Sequence, residues 1–274
     1  MNLVSATSND DKIDKAIKEV LVRKKNQFLN FEIKKKNLST CNALIIANIN
    51  KNEYNLLHYS WNKFSFLEYK RINDKTYYLN VGNLSMDTFE EILSQLELAD
   101  AIIIDFRKYP AGEWFSKDSF LGRFTDQPID TKWMFTPYIE KPSEENSVQQ
   151  YRKIGWLIKP KKPFLNARIY CLTDYKTISY GESLLGYFQN LPNAKFIGSS
   201  SCGTNGNVNK FSLPGGYTYR YTGMKVLKHD GSRLHGIGFL PDVEVRPTIQ
   251  GIIDGRDEVL EKAIELASAK ASEN

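Results

Sequence analysis

Residues 177–183, Thr-Ile-Ser-Tyr-Gly-Glu-Ser, could carry out acyl-transfer chemistry because Ser179 falls at a predicted turn between a buried strand and a helix. A hydroxyl at such a turn points outward, and the helix N-terminus offers free N–H groups and a positive dipole end to a developing oxyanion. Ser179 is therefore a candidate nucleophile. The pattern also fits an N-cap serine with Glu182 three positions on, which is a capping box without a catalytic role.

A second segment, residues 105–112 (Asp-Phe-Arg-Lys-Tyr-Pro-Ala-Gly), also directly follows a buried apolar run. Ligands bind at the carboxyl ends of the strands in open α/β sheets. We therefore predict that this turn meets the Ser179 turn at one sheet edge, with the Ala111 N–H within about 8 Å of the Ser179 hydroxyl. Taken alone, Pro-Ala-Gly would also simply end a strand.

The chain has three histidines, and histidine is the natural general base near neutral pH. His229 lies in Lys-His-Asp-Gly, which is typical of an exposed hairpin tip, and His58 ends an apolar strand, where a core or edge role fits better. His235 precedes residues 236–242, Gly-Ile-Gly-Phe-Leu-Pro-Asp, and is the candidate base. The alternative is that His235 only packs or hydrogen-bonds in this final turn.

The elements that must position these residues follow an α/β rhythm. Apolar or alternating runs predict strands and amphipathic runs predict helices over these ranges: strands 76–81, 101–104, 167–172, 194–197, 217–222 and 224–227, and helices 85–98, 179–189 and 257–269. Residues 111–163 contain five prolines and few regular periods, so we expect a long excursion that forms part of the substrate-gripping surface.

Ahead of this core, the sequence predicts an amphipathic helix over about residues 10–31 and a hairpin of strands 42–49 and 53–59. We expect two parts: an N-terminal helical and β preface, residues 1–74, from a longer chain, and an α/β core, residues 75–274. The N-terminus has no charged and apolar regions of a secretion signal.

Composition excludes several classes of protein. With 274 residues, 41% of them hydrophobic and 25% charged, the chain is globular rather than disordered, and its longest apolar runs are too short to span a membrane. A net charge of +5 is too weak to indicate nucleic-acid binding. The cysteines, at 41, 171 and 202, lack metal-site spacing and are expected to be free thiols.

Four segments together resemble the tail-specific, or C-terminal processing, peptidase family of serine hydrolases. Residues 103–112 resemble its Asp-Leu-Arg-Gly-Asn-Pro-Gly-Gly turn, and residues 177–182 are similar to its Ser-Ala-Ser-Ala-Ser-Glu motif. Residues 197–203 match its Val-Gly-x-x-Thr-x-Gly, and residues 230–242 match its closing pattern. Order and spacing agree over residues 75–245.

The resemblance implies a ClpP/crotonase-like mixed sheet with flanking helices, peptides or unfolded proteins as substrates, no metal or cofactor, and an extracytoplasmic location. It also assigns roles to individual positions, which are these: Ser179 as nucleophile, the backbone N–H groups of Ala111 and Tyr180 as the oxyanion hole, and Pro110, Gly112, Gly203 and Thr204 as substrate-binding residues.

One position departs from the family pattern. The family's general base is a lysine, and Thr204 stands there; losing the base without replacement would cost several orders of magnitude in rate. The related tricorn protease core builds its site from serine, histidine and glutamate. The position in this sequence that resembles the position of that glutamate is His235. Lys210 and Glu182 are weaker substitutes. The chain is thus either an endopeptidase with a base other than lysine or an inactive relative that binds peptides or apolar ligands, like the retinoid-binding repeats of this ancestry.

Overall fold

The computed structural model describes residues 27–34, 40–47, 67–110, 117–138 and 150–269. Its strands are β1 (Gln27–Lys34), β2 (Thr40–Ala47), β3 (Tyr69–Asn73), β4 (Thr76–Asn80), β5 (Ala101–Asp105), β6 (Ile129–Tyr138), β7 (Gln150–Ile158), β8 (Arg168–Thr173), β9 (Ala194–Gly198), β10 (Val208–Ser212), β11 (Thr218–Thr222), β12 (Lys225–Val226) and β13 (Val243–Glu244). Its helices are α1 (Met86–Glu91), α2 (Leu93–Leu96), α3 (Lys117–Leu121), α4 (Tyr180–Phe188), α5 (Ile249–Ile253) and α6 (Glu258–Ser268), with a 3₁₀ turn at Gly122–Phe124.

Six strands form the central sheet in the order β13-β9-β8-β5-β4-β3. All neighbours are parallel except β3 and β4, which are antiparallel. Alternate residues of β5 face opposite sides: Ile102 and Ile104 belong to the core that includes α1, α2 and α4, whereas Ile103 belongs to the core that includes α6. Burial on both faces explains the continuous apolar run of this strand. The predicted mixed α/β sheet with flanking helices is confirmed.

Most of the predicted core elements are also confirmed. The strands predicted at 76–81, 101–104, 167–172 and 194–197 and the helices at 179–189 and 257–269 each match an observed element to within one residue at either end. The helix predicted over 85–98 begins at its Ser85 cap, which accepts a hydrogen bond from Thr88 N, but it is divided into α1 and α2 at Ile92. Of the three cysteines predicted to be free thiols, Cys171 and Cys202 are buried and form no disulfide within the described part of the chain.

The N-terminal prediction is correct for one strand and wrong for the helix. The strand predicted at 42–49 corresponds to β2 (Thr40–Ala47). Residues 27–31, predicted to end a helix, lie in β1, which pairs antiparallel with β2. The run Phe-Leu-Asn-Phe-Glu-Ile alternates with period two and is rich in aromatic and β-branched residues, so strand pairing outweighs its helical spacing. The rest of the predicted helix and the strand at 53–59 lie outside the described residues. β3 joins the sheet ahead of the predicted boundary at residue 75, and the division into two parts stays a prediction.

The segment predicted as an irregular excursion, residues 111–163, is more regular than expected. It contains α3, the 3₁₀ turn and the long antiparallel pair β6 and β7, which joins β12 in a three-stranded sheet. The prolines misled the prediction because Pro137 lies near the end of β6, opposite Tyr151, where the strand tolerates it. Among the described helices, none is both long and apolar enough to cross a membrane.

Candidate active site

Ser179 is held in a strained turn at the start of α4. Its φ of 55° and ψ of −114° make it the one non-glycine residue with positive φ in the described part of the chain. Such a conformation costs about 1–3 kcal/mol and persists only where surrounding contacts impose it. Here the Ser179 N–H donates to Thr204 O at 2.9 Å, and Ser179 O accepts from Ser183 N at 3.0 Å.

The Ser179 hydroxyl makes no capping hydrogen bond to the helix it precedes, so the capping-box interpretation is wrong for this side chain. The other half of that motif is directed mainly to a distant segment, although the Ser179 backbone N–H also acts on the Glu182 carboxylate and lowers its pKa. Glu182 is fully buried, and its carboxylate reaches the segment after β9. Its Oε1 accepts from Ser201 Oγ at 2.6 Å and from Gly203 N at 2.7 Å, and its Oε2 accepts from Thr204 N at 3.0 Å.

Burial raises the pKa of Glu182 to about 7, although the hydroxyl and N–H donors around it act in the opposite direction. The carboxyl group therefore titrates near neutral pH while tying α4 to the segment at residues 201–204. This structural role is absent from the sequence prediction, because the donors come from a segment about twenty residues away and leave no local signal.

Residues 203–205 hold the candidate base and the candidate nucleophile on neighbouring carbonyls. Gly203 O accepts from Gly236 N at 2.8 Å. Thr204 O accepts from Ser179 N at 2.9 Å, and Asn205 O accepts from His235 Nε2 at 2.9 Å. A carbonyl oxygen only accepts, so Nε2 carries a hydrogen and Nδ1 holds the free lone pair of the neutral ring. Among the described residues, no hydrogen bond joins the His235 ring to Ser179.

Gly203 and Thr204 act on this arrangement through their backbones. Gly203 has φ +73°, and a Cβ there would lie 2.8 Å from the backbone nitrogens of Ile237 and Gly238. Only glycine fits this close approach. Thr204, at the position of the family's lysine, donates its N–H to Glu182 and accepts from Ser179 N. It supplies no amine.

The segment after β5 meets the Ser179 turn, as predicted, as far as the structure describes it. Phe106 N donates to Leu172 O at 3.0 Å, and Thr177 Oγ1 donates to Phe106 O at 3.1 Å. Pro110 Cδ lies 3.7 Å from the point where a Cβ on Gly181 would sit. Ala111 and Gly112 lie outside the described residues, so the predicted oxyanion distance and the roles of both residues stay predictions.

An ionic network that sequence reasoning missed holds the base of this turn. Arg107 makes two-atom contacts to Asp105 at 2.7 and 3.0 Å and to Asp257 at 2.8 and 2.9 Å. Asp257 also caps α6 by accepting from Leu260 N, and Tyr78 donates to Asp105 at 2.8 Å. Burial alone would raise the pKa of Asp105, but Arg107 outweighs it and the pKa lies below its usual value. The network joins the turn to the C-terminal helix.

Ser179 lies on a groove of about 810 Å³, which is lined by α4, by segments that follow strands of the central sheet, by the start of α3 and by the β6–β7 pair. The lining residues are Tyr109, Lys117, Asp118, Met134, Ile154, Gly155, Trp156, Ser179, Tyr180, Ser183, Asn205, Gly206 and Asn207. One wall is apolar, with Trp156 edge-on to Tyr180 at 5.8 Å between ring centroids. Burial, with the nearby Asp118 and Tyr109, raises the pKa of Tyr180 to about 12. The segment 111–163 thus contributes to this groove.

The other titratable candidates lie elsewhere. His229, predicted at an exposed tip, is partly buried with its ring 4.7 Å from that of Trp133, and burial lowers its pKa to about 4. The prediction failed because the neighbouring Asp-Gly forms the tip while the histidine turns inward. Lys210 is exposed on β10, opposite Arg220, and His58 lies outside the described residues.

The model of peptidase family S41 matches residues 72–245 of the chain. No curated protein matches it. Among solved structures, a candidate peptidase from Parabacteroides merdae aligns with a TM-score of 0.62 and 22% identity, over 74% of this chain and 64% of its own. Mature CPAF complexed with lactacystin aligns with a TM-score of 0.62 and 13% identity, over 88% of this chain and 67% of its own. At these identities the likeness is one of fold, and the chain spans about two thirds of each relative's length.

Proposed function

The chain belongs to peptidase family S41, a family of serine peptidases, and we propose that it is an endopeptidase that cleaves extended peptides through an acyl-enzyme on Ser179. The observation that carries the proposal is the strained Ser179 turn. A serine serving only as a helix cap would take an ordinary extended conformation and bond to the helix, whereas the Ser179 hydroxyl makes no cap bond and the residue lines the groove.

In the proposed reaction, Ser179 Oγ attacks the scissile carbonyl carbon while His235 Nδ1 accepts the hydroxyl proton. The N–H groups of Tyr180 and Ala111 hold the resulting oxyanion. The C–N bond then breaks, and the leaving amine takes the proton from the imidazolium. Water, deprotonated by the same ring, attacks the acyl ester, and the ring returns its proton to Ser179.

The bond between His235 and the Asn205 carbonyl supports this assignment. By accepting from Nε2–H, the carbonyl selects the tautomer whose Nδ1 can act as a base, and it stabilises the positive charge that forms on the ring. The carbonyl takes the part of the third member of a catalytic triad. We further assign Pro110, Gly112, Gly203 and Thr204 to substrate binding and, on family resemblance alone, place the protein outside the cytoplasm.

A second candidate is a catalytically inactive member of the family that binds peptides in the same groove. Two observations favour it: Thr204 replaces the amine of the family's base, and among the described residues no hydrogen bond joins the His235 ring to Ser179. Under this alternative, the strained Ser179 turn would be inherited without its chemistry.

Labelling by a fluorophosphonate probe, with casein hydrolysis in parallel, separates the two. For the peptidase, the native chain labels and cleaves, and both activities vanish in Ser179→Ala. His235→Ala loses hydrolysis, and the double variant is no worse than either single one, because members of one catalytic unit are non-additive. Ser94→Ala, an exposed serine on α2, serves as the matched control. A native chain that neither labels nor cleaves establishes the inactive form, and full turnover by His235→Ala moves the base elsewhere.

A further inference from the structure

The hairpin formed by β10 and β11 has an aromatic face that no part of the described chain covers. Phe211 pairs across the strands with Tyr219, and Tyr221 lies two residues further along the same face. These side chains are 47%, 54% and 46% exposed. Their rings form a ladder, with Phe211 5.3 Å from Tyr219 and 6.1 Å from Tyr221.

The opposite face of the hairpin is basic. Lys210 and Arg220 are a cross-strand pair like Phe211 and Tyr219, but alternation places them on the other side. Among the described strands, β10 and β11 pair only with each other, so each leaves one edge with free N–H and C=O groups. An aromatic face beside a free strand edge can bind an extended polypeptide. Such a polypeptide can pair with the edge as an additional strand and pack its apolar side chains on the rings.

The hairpin follows directly in the chain from the groove that contains Ser179. Residues 205–207 line the groove and continue directly into β10. At Gly206, whose φ is +117°, a Cβ would lie 2.6 Å from Thr222 Cγ2 and 2.8 Å from Met224 Cγ, so the chain leaving β11 packs against the groove floor. A polypeptide lying along the hairpin is therefore directed toward Ser179.

We propose that the aromatic face of the β10–β11 hairpin is a docking site for extended, unfolded segments rich in aromatic and aliphatic side chains, which it presents to the Ser179 groove. The proposal names the substrate class of the proposed peptidase and rests on that function for its consequence, though not for the binding itself. A second copy of the chain is the competing occupant of this face, and sedimentation in the test below distinguishes it from an unfolded segment.

The test measures binding in the Ser179→Ala background, where hydrolysis plays no part. The probe is fluorescein-labelled α-lactalbumin, reduced and carbamidomethylated so that it stays unfolded, and the readout is fluorescence anisotropy. Phe211→Ser with Tyr219→Ser removes one cross-strand pair, and Lys210→Ser with Arg220→Ser removes the adjacent pair on the other face as the matched control. We expect the first pair of changes to weaken binding about tenfold or more and the second less than about threefold.

If the aromatic double variant misfolds, as judged by circular dichroism, Tyr221→Ser alone should still weaken binding about threefold or more. Equal affinities for the two double variants would overturn the proposal. It would also be overturned if the aromatic changes converted a dimer to a monomer in sedimentation while probe binding stayed the same. Probe binding that depends on the aromatic face in a chain that never labels or cleaves would support the docking site and refute only the proposed peptidase activity.

Discussion

Replacing Glu182 with glutamine keeps the volume of the buried side chain and removes its charge. In the native chain one carboxylate oxygen accepts from Ser201 Oγ and Gly203 N, and the other accepts from Thr204 N. Glutamine offers only one oxygen. If that oxygen accepts from Ser201 Oγ and Gly203 N, the NH₂ group of the glutamine faces the Thr204 N–H. The Thr204 N–H then loses its acceptor, which lowers the free energy of unfolding by about 1–3 kcal/mol.

As pH rises, the titration of Glu182 lowers the stability of the native chain and so offsets the stability that the variant loses with its hydrogen bond. The pKa of Glu182 is about 7 in the folded chain against a usual value of 4.5, a difference of about 2.5 units. A raised pKa stabilises the folded state fully below the unfolded value, and this stabilisation is lost as pH rises through the folded value. At 1.36 kcal/mol per unit, the native chain should lose about 2 to 3 kcal/mol between pH 5 and pH 8 from this group. Glutamine loses none of this.

The assay is urea unfolding followed by tryptophan fluorescence at pH 5, 6, 7 and 8, on the native chain and on Glu182→Gln. The free-energy difference between the two cancels all other titrating groups. We expect the variant to be less stable at pH 5 and equal to or more stable than the native chain at pH 8. Glu97→Gln, an exposed position, should show no such crossover. A difference constant to within about 0.5 kcal/mol, or one that widens in favour of the native chain with rising pH, would refute the reasoning.

Three further changes test the geometry of the site. Ser179→Gly should raise the free energy of unfolding by up to about 1 kcal/mol, because glycine adopts φ 55° without strain. Calorimetry measures this change, and Ser179→Ala should show no such increase. Gly203→Ala should lower it by about 2–4 kcal/mol in urea unfolding, because its Cβ would meet backbone nitrogens at 2.8 Å; an unchanged midpoint would contradict this. Arg107→Leu should lower the free energy of unfolding by about 3–5 kcal/mol, because Asp105 and Asp257 then lose their positive counter-charge with little access to solvent. Thermal denaturation measures this change, and a loss below about 1 kcal/mol would contradict it.

Much of the core and the turn at Ser179 could be predicted from the sequence because both follow from local patterns. A continuous apolar run such as residues 101–104 fits a strand buried on both faces, and an amphipathic run such as Glu258–Ser268 fits a helix that covers one face of the sheet. The position of Ser179 at a strand-to-helix turn could be predicted because its place after a buried strand is visible within a few residues. The same reliance on local spacing failed at residues 27–31, where pairing with a partner strand decided the outcome.

What only the tertiary structure decided are the contacts between segments far apart in the chain. Arg107 meets Asp257 150 residues later, and Glu182 meets residues 201–204, although nothing in the local sequence of either pairs them. The apolar wall of the groove comes from β6 and β7, whose residues were expected to be irregular. Local propensity governs which element a segment forms. A buried polar group, however, needs a hydrogen-bond or ion-pair partner, and the fold supplies that partner from whichever distant segment packs beside it. The use of Glu182 as a clamp rather than a cap, and the seating of His235 and Ser179 on adjacent carbonyls, follow from that requirement.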